Sequence, residues 1–112
     1  DYFYNKIDVI CFPSYLNALG RQVFEAGHYK IPSIVCLKRN ISDSFINNKT
    51  GLSYKIPGSH DDLEKIIKYF YSNKKQIIRM GKNANKIVKI NYGIKKNIEE
   101  LNKIYFQCLK LN

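Results

Sequence analysis

The sequence predicts an α/β fold in which a small parallel βαβ sheet, over about residues 7–58, is followed by helices through residues 59–112. Three observations carry that reading. Two short, β-rich apolar runs flank a segment with helical spacing. A third strand-like run is closed by Pro57-Gly58. Beyond it, apolar residues recur at intervals of three and four.

Ile7-Asp-Val-Ile-Cys-Phe12 reads as a strand buried on both faces, because its apolar residues are nearly continuous and Pro13 stops the run. From Arg21 to Tyr29 the pattern turns helical, with Val23, Phe24 and Gly27 on one face. Pro32-Ser-Ile-Val-Cys-Leu37 is a second buried strand, which makes a βαβ unit with the expected right-handed crossover. Residues 38–49 are polar around Ile41, Phe45 and Ile46, as in a loop with a short helix. The Thr50-Gly51 turn leads to a third strand at Leu52–Ile56. Ser59 or Asp61 caps a helix with Leu63, Ile66, Ile67 and Phe70 at i, i+3, i+4 and i+7. A second helix from Lys74 carries Ile77, Met80, Gly81, Ala84, Ile87 and Val88 on one stripe and ends near Gly93. The last stripe, Ile94, Ile98, Leu101, Tyr105 and Cys108, belongs to an amphipathic helix that needs a surface to lie against.

A chain of 112 residues accommodates one domain or part of one, and the start at Asp1 reads as a piece cut from something longer. Its net charge of +10 makes a polyanion the first partner to weigh. Only three of the nineteen cations are Arg, the residue preferred for bidentate phosphate and guanine contacts, which argues against nucleic acid. The charge is concentrated in residues 61–112, with twelve cations against five anions, and the lysines fall opposite the apolar stripes, as on solvated helix faces. Cys11, Cys36 and Cys108 form no C-x-x-C pair, and His28 and His60 have no partner at ligand spacing. The expectation is a reduced, cytoplasmic setting and no bound metal. No apolar run approaches the roughly 20 residues of a membrane span.

The chemistry is expected between Phe12 and Ala26. A loop at the carboxyl end of a parallel strand, ending in Gly20 at a helix start, lets a ligand approach the backbone and offers free amides to a phosphate. Glu25, just over one turn inside, can accept from two adjacent hydroxyls, as on a ribose. The competing readings are plain packing for Gly20 and a solvated helix carboxylate for Glu25.

These residues resemble a known family. Residues 8–26 (DVICFPSYLNALGRQVFEA), then 30–35 (KIPSIV), 48–52 (NKTGL) and 56–63 (IPGSHDDL), are similar in order and spacing to the C-terminal half of retaining GT-B glycosyltransferases of family 4. The resemblance implies a Rossmann-like partial sheet belonging to the nucleotide-sugar-binding domain, with the acceptor-binding N-terminal domain outside the chain. It places Glu25 at the second glutamate of the family's pair, which binds the ribose hydroxyls. Gly20 falls in the loop whose amides face the diphosphate and sugar. Leu19, Arg21 and Val23 flank it among the donor-binding positions, and Thr50-Gly51 is a structural turn. Asp43 falls at the acidic position after the family's glycine loop, where a helix cap is the competing role.

Two positions depart from the pattern. The first glutamate of the pair is Asn17, an amide that can hydrogen-bond hydroxyls but supplies no negative charge near a developing oxocarbenium ion. The expected glycine pair is Arg39-Asn40. The resemblance implies retaining transfer of a sugar from a UDP- or GDP-sugar to an acceptor hydroxyl, in polysaccharide or glycolipid synthesis, with no cofactor beyond the donor substrate. Its partners would be the nucleotide sugar and a glycan or lipid-linked acceptor, with peripheral contact at the cytoplasmic face of a membrane. The fragment by itself is expected to be inactive. Two other readings compete: a basic nucleic-acid- or membrane-surface-binding module built on residues 61–112, and an α/β interaction domain that has lost catalysis at Asn17.

Overall fold

A computed structural model of the chain describes residues 2–13, 20–36, 45–55 and 60–110. Strands β1 (Ile10–Phe12), β2 (Ser33–Cys36) and β3 (Gly51–Tyr54) form a parallel sheet in the order β1-β2-β3. Cys11 is opposite Ile34, and Ile34 is opposite Leu52. Helix α1 (Arg21–His28) joins β1 to β2, so the βαβ unit is present. Helices α2 (His60–Ser72), α3 (Lys74–Tyr92) and α4 (Ile94–Lys110) follow.

The sheet separates two apolar clusters. Ile34, Cys36 and Tyr54 meet Phe70 of α2 and Met80 of α3 on one face. Val35 meets Val23 of α1 and Phe45 on the other, with Phe12 alongside. Strand β2, between two strands and under helices on both faces, is buried at every residue. Strand β1 is not, which corrects the expectation of burial on both faces. Its Cys11 is exposed on the α2/α3 face, where an open recess lined by Ile34, Ile67, Phe70, Tyr71 and Ile77 separates it from those helices.

Polar groups fix the turn into β3. Thr50 Oγ1 accepts from the Ile46 amide (2.9 Å), and Asn47 Oδ1 accepts from the Ser53 amide (3.0 Å). At Gly51 a Cβ would collide with the Ser33 carbonyl oxygen, so the close approach of β3 to β2 requires glycine. Residues 45–55 contain no helix, and the rest of the segment expected to hold one lies outside the described residues.

Helix α3 follows its predicted stripe, with Met80, Gly81, Ala84 and Val88 buried and Ile77 and Ile87 half-buried. It seats tightly on α1. A Cβ at Gly81 would collide with the Lys30 carbonyl oxygen, and the side chain of Val88 fills the space over Gly27. Buried Asn85 donates to the carbonyls of Gly27 (3.1 Å) and His28 (2.9 Å), two of the groups that a helix leaves unpaired at its end. The same end is closed by amides of Lys30 and Ile31 bonding back to Gly27 and Ala26, with Lys30 at φ 60°.

In α2, Phe70 is buried and Leu63 and Ile66 are half-buried, whereas Ile67, expected on the same stripe, is exposed. The helix begins at His60, so Asp61 stands in its first turn rather than at the cap, where its charge suits the helix dipole. Ser59 lies outside the described residues. Helix α4 has no buried residue and extends the molecule to 57 × 28 × 23 Å.

Candidate functional site

Residues 14–19 lie outside the described part of the chain, and Asn17 and Leu19 with them; so do Arg39, Asn40 and Asp43. What is described is the frame on either side: Phe12 at the carboxyl end of β1 and Gly20 at the start of α1. Gly20 has extended backbone angles (φ −70°, ψ 158°) that any residue adopts. Its lack of a side chain serves space, because a Cβ would run into the Phe12 ring. The glycine therefore has a packing role within the protein itself.

The Val23 amide donates to the Gly20 carbonyl (3.1 Å), and its side chain is buried among Val35 and Phe45. Expected with Arg21 at the donor, Val23 is a core residue that holds the first turn of α1 in place. Arg21 is 88% exposed, and its Nε lies 2.8 Å from Glu25 Oε1, four residues on. An exposed pair of this kind is worth about 0.3–0.5 kcal/mol, so a stronger anion can draw the guanidinium away.

Glu25 is the polar centre of the region. Its carboxylate is half-exposed, with Oε1 on Arg21 and Oε2 accepting the Tyr4 hydroxyl at 2.6 Å. Tyr4 comes from the 3₁₀ turn Tyr4–Lys6 that precedes β1, and its ring stacks on Tyr29, just past the end of α1 (centroids 4.9 Å apart, planes at 10°). The hydrogen bond to Glu25, followed by burial, pushes the Tyr4 hydroxyl up to about pKa 12. The shift extends the pH range over which the phenol remains a donor to Glu25 well into the alkaline. Tyr4, Glu25, His28 and Tyr29 line an open recess on this flank of α1.

Arg21, next to Gly20, and Glu25, just over one turn inside α1, thus lie together. Sequence reasoning missed Tyr4 and Tyr29. Tyr4 and Glu25 are 21 residues apart, and no local pattern marks such a contact. It also missed Asn85, for which a signal existed: an amide within an otherwise apolar helical stripe. The eleven lysines of residues 61–112 are all exposed, as expected of solvated helix faces. Among the described residues no helix is long and apolar enough to cross a membrane.

Comparison with known proteins places these features. A family model described as "Glycosyl transferases group 1" matches residues 1–87. None of the curated proteins matches the chain. Among solved structures, sucrose-phosphate synthase from Thermosynechococcus elongatus superposes with a TM-score of 0.88 at 21% sequence identity, over 98% of this chain and 27% of that one. At that identity the likeness establishes the fold, which is of the GT-B type.

Proposed function

The chain belongs to the glycosyl transferases group 1 family, and on that premise we propose that it forms part of the donor-binding domain of a retaining glycosyltransferase that uses a UDP- or GDP-sugar. The observation that carries the reading is the placement of the Glu25 carboxylate. It stands just over one turn inside a helix that opens at the carboxyl end of β1, and both oxygens are oriented by neighbours that leave each a further acceptor position. Two adjacent ribose hydroxyls would donate one to each oxygen.

With the ribose on Glu25, the diphosphate falls toward the start of α1, where the leading amides and the positive end of the helix dipole favour an anion. Arg21, released from its weak pair with Glu25, supplies charge there. Phe12 and Val23 keep the helix start in register with the strand end. At the first-glutamate position of the family's pair the sequence has Asn17, an amide that brings hydrogen-bonding capacity and no negative charge. The acceptor, a glycan or lipid-linked glycan, is supplied by a domain outside this chain, so the 112 residues alone have no transferase activity.

The test is donor binding by titration calorimetry with the intact protein. Glu25→Ala is expected to weaken binding of the UDP- or GDP-sugar by tenfold or more, about 1.4 kcal/mol per tenfold. Unchanged affinity would remove the site.

A further inference from the structure

The Glu25 carboxylate is held from two sides, and the two holds differ. Arg21 reaches it from the same helix, four residues earlier, through a flexible and 88% exposed side chain. Tyr4 reaches it from another element, with a ring clamped against Tyr29. A guanidinium can take a carboxylate through both of its oxygens at once. If Arg21 alone faced Glu25, the pair could close into that two-pronged geometry and occupy both oxygens. The Tyr4 hydroxyl, at 2.6 Å from Oε2, keeps one oxygen turned away from Arg21.

We propose that Tyr4 is a positioning residue for donor binding, holding the Glu25 carboxylate open so that its two oxygens accept the 2′- and 3′-hydroxyls of a nucleoside diphosphate. This inference rests on the reading of Glu25 as the ribose-binding group. Tyr4 itself need not touch the ligand. Its hydroxyl donates to Oε2, and the stack on Tyr29 fixes the direction from which that proton is offered. A glutamate has three side-chain torsions to restrict, and their freedom would otherwise be lost when the ligand binds. Tyr4 restricts them beforehand.

The experiment is a calorimetric comparison of the intact wild-type protein with Tyr4→Phe, Tyr4→Leu, Glu25→Ala and the Tyr4→Phe/Glu25→Ala double variant. The probes are UDP and GDP, each beside its 2′,3′-dideoxy counterpart. Tyr4→Phe keeps the ring and its stack. It is expected to weaken binding of the preferred diphosphate roughly 3- to 10-fold, to leave the dideoxy probe unchanged, and to have no further effect once Glu25 is Ala. Glu25→Ala that weakens the diphosphate while Tyr4→Phe does not, or tightens it, overturns the role of Tyr4 and leaves the ribose site standing. Loss in Tyr4→Leu alone, or equal loss on both probes, also overturns it, since ring packing would then explain the effect. Wild type that binds neither diphosphate, or Glu25→Ala that binds like wild type, overturns the ribose reading and this inference together.

Discussion

Helices α3 and α4 look alike in sequence and differ completely in use. Each carries an apolar stripe at spacings of three and four, and each presents lysines on its other faces. On α3 the stripe is the floor of the molecule: Met80 is 1% exposed, and Gly81, Ala84, Asn85 and Val88 are buried with it. On α4 the equivalent residue Ile98 is 52% exposed, and none of its neighbours is buried. An amphipathic stripe therefore states that a helix has a face suited to a surface. Whether this chain provides that surface depends on topology, because α3 returns across β3 and α1 while α4 leaves the body at Gly93.

Three substitutions test the contrast. The largest effect is expected for Met80→Ala, which removes a buried side chain from the cluster beneath β2 and β3 and should cost about 2–5 kcal/mol by urea unfolding. Asn85→Ala comes next, at about 1–3 kcal/mol, because the His28 carbonyl loses the Asn85 amide and the Gly27 carbonyl is left with the Lys30 amide. The smallest is Ile98→Ala on α4, within about 0.5 kcal/mol. A loss at Ile98 comparable to that at Met80 would break the contrast, since α4 would then be packed in solution.

Much of the fold was legible from residue order. Strands β1 and β2 fall within the predicted runs, because short apolar segments ended by Pro or Gly have few alternatives, whereas β3 begins one residue early, at the Gly51 expected in the turn, and ends at Tyr54. The α3 stripe was readable residue by residue because nineteen helical residues average out local exceptions. Burial of β1 was not legible. Ile7 to Phe12 are apolar enough to be covered on both faces, but coverage depends on how closely neighbouring elements approach the strand, and at Cys11 the α2/α3 side leaves an open recess. Ile67 is the same case on α2. At the site, Glu25 could be found because its distance from Gly20 along one helix is a local quantity. The Tyr4 and Asn85 contacts join segments 21 and 58 residues apart and exist only once the sheet and helices have assembled.

Gly81 has a mechanical consequence. The backbone of α3 rests against the carbonyl of Lys30 with no side chain between them, and Asn85, one turn on, holds the end of α1 by two hydrogen bonds. A slip of one residue, about 1.5 Å along the axis with a turn of about 100°, would drive Met80 or Lys82 into the space that only a hydrogen atom now fills. The two helices are keyed like a bolt in its keeper. The contact at Gly81 and the two bonds from Asn85 thus couple the end of α1 to α3, and Glu25 stands on the helix so held.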